Sequence, residues 1–554
     1  MRIINLCSLG LASILSLIAL YTSSTSHSRS MAIYESNVSV IKNKRFALII
    51  LFSVFIFVRL YQFGEIPGGV NQDEALSAVD AYYLANNGTD HYGIIFPVHM
   101  KAWDYGQQSS LLPYTMVPFI KILGLSIYSV RLPALVISCI GAFFCYLLTK
   151  ELFGEEVSFI LAFLLSVNPW HIMQSRWALD CNLFPHIIII AVYFLVKSIS
   201  VSKNNTALLI VSMFFFGLSM YTYGIAIYTV PFFLLITCVL LLYKKAVTKK
   251  QVFLAIVSYL FVAWPFIFCM AINYFRLPSI EVLGVTIPFF PNSERSADIL
   301  FFSDNILRQI GRNLIYFARS AVLQMNGPHF QPWNSIEEFG TSYYFSTPFI
   351  VLGAIILICS FFRDLSVTHA VLICFLISCV FCGIVTNSVN INRINIVYYP
   401  LLILCSIGIF ATISYFKYNA SIIFSVYLVL FALFCNTYFS SYKAEIASVF
   451  KQDLGFSCTS TMDILNDSGT ILVVCDDKDG DKLSGTEALC MYYQIAYNSG
   501  NGYNGKVICK QLEPSDLNNQ CYSAYVFPYN YASNFSNEKY NLQQFGQFCS
   551  AIRK

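Results

Sequence analysis

Apolar runs recur along the chain, each closed by a short polar loop, and their length is the first thing to explain. A helix needs about 20 apolar residues to cross roughly 30 Å of hydrocarbon. After residue 45, about eleven stretches fit that template: near residues 46–63, 132–150, 155–169, 183–198, 206–222, 225–243, 251–271, 346–362, 367–386, 396–416 and 419–439. The pattern predicts a mostly α, polytopic helical membrane protein. Residues 73–88 differ: Asp73, Glu74, Ser77 and Asp80 alternate with Leu76, Val79, Tyr83 and Leu84. That spacing predicts a helix in the membrane interface with its apolar stripe in lipid. Residues 106–126 carry Pro113 and Pro118, which would strip hydrogen bonds from a span, so a second interfacial helix is expected there. The polar, aromatic loop 272–345 is expected to form a lid or wall.

After residue 440 the pattern changes. GTILVVCDD, KVICKQL and CYSAYVFPY read as strands and EALCMYYQIAY as a helix, predicting a small α/β domain. The chain thus divides into residues 1–45, a membrane domain 46–440 with outer loops 64–131 and 272–345, and a C-terminal domain 441–554. Residues 4–21 are a signal-peptide core, one more span or, given Met31 and the basic IKNKR beyond it, sequence ahead of a later start.

Composition agrees: 57% of the 554 residues are hydrophobic and 12% charged, with mean hydropathy +0.62. The net charge of +4 and the lack of a basic stripe give no reason to expect a nucleic-acid partner. The placement of the basic residues says more. Lys42, Lys44, Arg45, Lys150, Lys197, Lys244, Lys245, Lys249 and Lys250 sit in alternate short loops, which the positive-inside rule assigns to the cytoplasm. Loops 64–131 and 272–345 and the tail are then extracytoplasmic. Six of the 18 cysteines lie in the tail. An even number outside the membrane permits disulfides without naming pairs, and buried thiols are the plain alternative. No CxxC spacing points to zinc.

Familiar catalytic signatures are missing: there is no Walker loop, GxSxG, HExxH or dinucleotide fingerprint. What remains is polar residues at the outer ends of spans: Asp73 and Glu74, Asp104, Arg131, Arg176, Asp180, Tyr221, Tyr223 and Arg393. Ionised groups at membrane depth are costly unless paired or functional. Taken singly, each has a plain explanation. Arg131 looks like a headgroup anchor, and Asp73, just past Gly68-Gly69, could simply cap a helix. His91, His99, His171 and His329 are dispersed, so no metal site is expected.

The order RLYQFGEIPGGVNQDEALSAVDAYYL, SIYSVRLPALVISCIGAFFCYLLTKELFG, NPWHIMQSRWALDCNLFP and NINRINIVYYPLLIL resembles the polyprenyl-phosphate-dependent glycosyltransferases of family 39, in the C-type membrane superfamily. These include protein O-mannosyltransferases and lipid A aminoarabinose transferases. The resemblance covers roughly residues 46–440 and is greatest to bacterial members with MQSRW-like and NINRIN-like segments. It does not extend to the tail, and no β-trefoil repeat is visible in the long loop, so a protein acceptor is not implied. What it implies is an inverting single displacement in which an acceptor hydroxyl attacks a sugar held on a polyprenyl phosphate, at the outer face of the cell membrane. Asp73 matches the base, supported by Glu74; Arg176 and Arg393 are candidates for the donor phosphate. Asp104, Asp180, Tyr221 and Tyr223 are candidates for substrate contact. No cofactor or metal is implied. The partners would be the lipid-phosphate sugar, an acceptor and membrane lipids. The alternatives are a polymerase or ligase of lipid-linked glycans and a polytopic transporter; a transporter should show mid-membrane ionisable groups and two related halves.

Overall fold

The computed structural model describes residues 2–25, 40, 43–102, 106–200, 205–291, 305–324, 331–364, 366–386, 389–415, 419–466, 468–475, 483–501 and 503–554. Two apolar helices, α1 (Arg2–Thr25) and α2 (Lys44–Leu60), precede α3 (Gln72–Asn87). The hairpin β1 (Met100–Ala102) and β2 (Gly106–Gln108) leads into α4 (Leu111–Leu123), α5 (Ile127–Val167), α6 (Pro169–Gln174) and α7 (Asp180–Ser200). Next come α8 (Thr206–Ser219), α9 (Ala226–Tyr243) and α10 (Lys249–Phe275), a second hairpin of β3 (Ile280–Val282) and β4 (Val285–Ile287), and α11 (Ile306–Phe317). The bundle closes with α12 (Thr347–Asp364), α13 (Val367–Val385), α14 (Tyr398–Tyr415) and α15 (Asn419–Phe439).

Each apolar stretch of the sequence falls on a helix. Among the described residues, eight helices are long and apolar enough to cross a membrane, α1 and the whole of α5 each counting as one. The protein is a multi-pass membrane protein. Gly154 breaks α5 with a left-handed φ of 82°, a conformation that suits glycine. Near the two ends of α5, Leu165 O accepts from Arg59 in the last turn of α2 and Arg131 donates to Pro67 O in the loop that follows α2, whereas Glu156 meets Lys44 at the start of α2. The two halves therefore run antiparallel. Basic residues of α2, α5 and α7 gather at the opposite end in the pairs Lys44–Glu156 (2.5 Å), Lys150–Glu155 (2.9 Å) and Lys197–Glu151 (2.6 Å).

The centre of the bundle is α7 and α14. Both are apolar all round, as a helix surrounded by other helices must be, and Asn395–Ser414 is entirely buried. Helix α12 lies so close to α14 that a Cβ at Gly353 would strike the Leu404 carbonyl and one at Gly408 the Phe349 carbonyl. Small residues make such backbone approach possible between membrane helices.

The tail comprises α16 (Ser441–Val449), α17 (Gln452–Leu465), β5 (Thr470–Val474), α18 (Leu483–Asn501), β6 (Lys506–Lys510), α19 (Pro514–Asn518), β7 (Ala524–Pro528), β8 (Tyr540–Phe545) and β9 (Phe548–Arg553). The sheet order is β6-β5-β7-β9-β8, parallel across β6, β5 and β7 and antiparallel beyond. Alternation along β5 divides the two faces: Ile471 and Val473 pack with α17 and α18, Leu472 and Val474 with Tyr525 and Phe535.

One expectation is overturned here. Helix α3 does not lay its apolar stripe in lipid. Ala75, Leu76, Ala78, Val79 and Ala81 are buried in one cluster with Leu112 and Met116 of α4 and Ala488, Leu489 and Tyr492 of α18. The alanines let these helices approach, and burying Leu76 and Val79 contributes about 1.5–3 kcal/mol each. The hydrophobic period was real, but its partner is the tail domain and α4.

Candidate functional site

The segment that enters α3 is fixed at both ends. Gly69 has φ +79°, and a Cβ there would run into the Phe450 carbonyl, while the next N–H, of Val70, donates to that same oxygen at 3.0 Å. The turn is thus seated on the start of the tail domain. Asn71 is the N-cap: its Oδ1 accepts from the Asp73 N–H at 3.0 Å, and the Glu74 carboxylate accepts from the Asn71 N–H at 3.4 Å. This is the reciprocal capping box. The capping role considered for Asp73 therefore belongs to Asn71.

Glu74 is fully buried. Its two oxygens accept from Arg131 Nε and Nη2, both at 2.8 Å, and one also accepts from the Ala178 N–H at 2.9 Å. Arg131 donates further to the carbonyls of Pro67 (2.7 Å) and Gly69 (2.8 Å). It is a sealed bidentate partner rather than a headgroup anchor, and Glu74 ties together the α3, α5 and 175–180 segments rather than attending Asp73.

Arg176 is also sealed. Nε donates to Ile66 O (3.2 Å), Nη1 to Val58 O and Arg59 O (both 2.9 Å), and Nη2 to Tyr61 O (2.8 Å) and Gln62 O (2.9 Å). These five bonds use all five guanidinium donors and satisfy the carbonyls that the end of α2 leaves open. A donor phosphate would find nothing left to bind, so Arg176 acts as a positioning residue for α2. Deeper still, Arg59 donates to His171 Nδ1 at 2.8 Å and lies 3.5 Å over the Phe55 ring. His171 Nε2 meets the Tyr399 hydroxyl (3.1 Å), which meets His186 Nδ1 (2.8 Å), beside Gln174. Because arginine only donates, His171 Nδ1 must accept, which places its ring proton on Nε2.

Above this layer lies a half-buried rim. Asp73 and Asp180 both act electrostatically on Cys181, whose N–H donates to Asp180 Oδ1 at 2.6 Å. The Cys181 carbonyl accepts from Asn395 Nδ2 at 2.7 Å, bringing the half-buried Arg393 loop to the same place. The start of α7 thus meets the segment before α14 directly, and the start of α3 lies within electrostatic reach of it. The other candidates fall elsewhere. Tyr221 donates to Val262 O at 2.7 Å and serves the α8–α10 packing. Tyr223 is half-buried in the α8–α9 turn, and Asp104 lies outside the described residues. Midway along α3, buried Asp80 pairs with His91 Nδ1, and burial pushes the Asp90 carboxyl up, with Asp80 adding to the effect. Among the described residues, no group of three or more His, Cys, Asp or Glu is placed to hold a metal ion. A groove of about 490 Å³ runs along α2, lined by Phe52, Ser53, Ile56, Phe57, Leu60 and Tyr61, with no carboxylate in its lining.

Asn71 was within reach of sequence reading, because Asn followed three residues later by Glu is a capping signature. The Arg59–His171–Tyr399–His186 chain was not, since each member comes from a different apolar segment.

Fold and site together define a polytopic helical membrane protein in which loops and a small α/β domain assemble acidic and basic side chains at one end of the bundle. Residues 107–268 match the family described as dolichyl-phosphate-mannose-protein mannosyltransferase. That segment lies inside the stretch that resembles family 39 and holds Arg131, Arg176 and Asp180, while Asp73, Glu74 and Arg393 lie outside it. No curated protein matches the chain. Among solved structures, the chain is similar to ArnT from Cupriavidus metallidurans bound to undecaprenyl phosphate (10% identity, TM-score 0.49, 91% of this chain and 98% of that one). It is also similar to the Archaeoglobus fulgidus oligosaccharyltransferase in the apo form (12%, TM-score 0.48, 84% and 64%). A third is AglB from that organism with an inhibitory peptide and a dolichol-phosphate (12%, TM-score 0.49, 88% and 69%). With TM-scores below 0.5, these likenesses leave the argument to the family match and the geometry.

Proposed function

We propose that the chain is a glycosyltransferase that moves a sugar from a polyprenyl-phosphate donor to an acceptor hydroxyl at the outer face of the membrane, in one inverting displacement. The observation that carries this reading is the division of labour at the start of α3. Asn71 takes the cap and Glu74 pairs with Arg131, while Asp73 stands half-buried between them in sequence, at the start of α3 and within electrostatic reach of Cys181 at the start of α7. The family match over residues 107–268 supports a lipid-phosphate donor.

In this mechanism Asp73 accepts the proton of the attacking hydroxyl. Phosphate is a good leaving group and needs no general acid; it needs positive charge. Arg393 is the candidate for direct contact. Arg59, Arg131 and Arg176 interact electrostatically in sequence, and Glu74 is the one carboxylate that pairs with any of them among the described residues. Three guanidinium charges against one carboxylate leave an excess of positive charge beneath the rim, where low dielectric carries its field to an anion that the guanidiniums do not touch. Transfer is metal-independent in this reading: activity persists in chelator, and loss reversed by added divalent metal would contradict it.

The test is transfer by the purified protein in proteoliposomes from a panel of synthetic polyprenyl-phosphate hexoses and pentoses. The wild type should use at least one of them, and Asp73→Asn should lower the rate about 10²–10⁴-fold. No transfer from any of them, or near-normal rates for Asp73→Asn, would overturn the proposal. For the orientation, impermeant-reagent labelling of Asn87→Cys and Asn466→Cys, both exposed, should succeed from outside the cell and fail at Lys244→Cys. The reverse pattern would invert the topology.

A further inference from the structure

The loop that carries Arg393 reads NINRIN, residues 390–395, and its asparagines have no part in the transfer chemistry proposed so far. Two of them hold backbone. Asn390 Oδ1 accepts from the Arg393 N–H at 2.9 Å, and Asn395 Nδ2 donates to the Cys181 carbonyl at 2.7 Å. The Cys382 thiol donates to the Arg393 carbonyl at 3.2 Å. Asn392 is met from elsewhere, by the turn Gln331-Pro332-Trp333-Asn334 of the long loop. The Asn334 N–H closes that turn on the Gln331 carbonyl at 3.2 Å, with proline in the second place, where its fixed φ suits a turn. Gln331 Oε1 accepts from the Asn392 N–H at 3.0 Å, and the side chains of Asn334 and Asn392 bond to each other.

The direction of each amide follows from hydrogen-bond chemistry. An indole N–H only donates. Trp177 Nε1 lies 3.3 Å from the Asn334 amide, so the Asn334 atom facing it is Oδ1. Asn334 Nδ2 is thereby turned toward Asn392, and because an NH2 group also only donates, the Asn392 atom facing it is Oδ1. The relay leaves Asn392 Nδ2 as its outer end. Asn392 is half-buried, and this NH2 group has no hydrogen-bond partner among the described residues. Trp177 and Asn334 are both buried and stand 157 positions apart. Bonds to Gln331, Asn390 and Cys382 already hold the backbone of residues 392 and 393, so a buried pair that also fixes which end of Asn392 faces outward has a further use.

We infer that Asn392 is a substrate-binding residue whose Nδ2 donates to a phosphate oxygen of the polyprenyl-phosphate sugar, beside Arg393, and that Asn334 is the positioning residue that aims it. The inference rests on the reading given under Proposed function, in which Arg393 meets that phosphate. An ionised phosphate presents acceptors and no donor, so an amide serves it only through its NH2 end. Sugar hydroxyls both donate and accept, and would not require that end to be fixed. The guanidinium supplies charge, and the amide adds direction.

The test uses the full-length protein in detergent. Thermal melting and the binding of a sugar-free polyprenyl phosphate, by titration calorimetry, are measured for Asn392→Leu and Asn334→Leu. Both variants break the same Asn334–Asn392 bond with a side chain of similar shape, so they differ only in what else is lost. Asn334→Leu also leaves the buried Trp177 N–H without its acceptor and should melt lower. Asn392→Leu also loses the outer NH2 group and should weaken binding about tenfold. Asn334→Leu should weaken it less, since the amide remains and is merely no longer aimed. The order of the two variants is therefore crossed between melting and binding. If the amides only tie the turn to the loop, Asn334→Leu is the worse in both measurements. That result, or wild-type binding by Asn392→Leu, overturns the inference. Should a leucine variant fail to fold, Asn392→Ala and Asn334→Ala give the same comparison. A wild-type protein that does not bind polyprenyl phosphate brings down the reading under Proposed function, and this inference with it.

Discussion

Asp73 and Glu74 are neighbours in sequence with nearly the same chemistry, yet the fold gives them opposite surroundings. Glu74 belongs to a sealed layer in which its carboxylate, Arg131 and Arg176 have their hydrogen-bonding capacity met by one another and by backbone groups. Asp73, like Asp180 and Arg393, is half-buried. On the proposed reading, the difference divides architecture from chemistry: the buried charge holds segments together and the half-buried one meets substrate. An arginine whose donors are all taken cannot also grip a phosphate, however well its sequence position suits that role.

Substitutions in the two layers should therefore separate stability from rate. The largest stability effect is expected from Glu74→Gln. It leaves Arg131 charged and buried without its partner, which costs about 3–5 kcal/mol, and thermal melting of the detergent-solubilised protein should show it. Arg176→Lys comes next. Three donors replace five, and even with water reaching the Tyr61 and Gln62 carbonyls, a loss of about 1–3 kcal/mol is expected. If Arg176→Lys instead melts normally and only raises KM for the lipid donor, Arg176 belongs with the rim after all. On the rim, Asp180→Asn and Arg393→Lys should each slow transfer roughly tenfold, equivalent to about 1.4 kcal/mol, with melting unchanged. A lowered melting temperature would move either residue into the sealed layer. The smallest effect is that of Asn71→Ala, which loses the cap and about 1 kcal/mol of stability while Asp73 keeps its place.

Much of the fold was legible because lipid simplifies the problem. A run such as residues 367–386 has few alternatives to a membrane helix, and Val367–Val385 is one. The four tail elements read from GTILVVCDD, EALCMYYQIAY, KVICKQL and CYSAYVFPY match β5, α18, β6 and β7. The β8–β9 hairpin did not show itself, since Asn541, Leu542, Gln543 and Gln544 are exposed and lack the alternation of a half-buried strand. Helix α3 was readable as amphipathic but not for what it packs against, because its partner α18 lies some 400 residues later and hydrophobicity does not distinguish lipid from protein. The same limit governs the site. Arg131 pairs with Glu74 across 57 positions, and the acceptors that occupy Arg176 are backbone carbonyls, which no side-chain pattern reveals. The sequence could locate the acidic pair, and only the packing could divide its roles.

The most direct test compares Asp73→Asn and Glu74→Gln in one preparation, measuring sugar transfer and thermal melting for each. Because Asn71 supplies the cap, Asp73→Asn should melt like the wild type and lose transfer about 10²–10⁴-fold, whereas Glu74→Gln should lose its melting temperature first. If Asp73→Asn unfolds as readily as Glu74→Gln, or transfers sugar at the wild-type rate, the separation of a catalytic rim from a sealed structural layer is wrong.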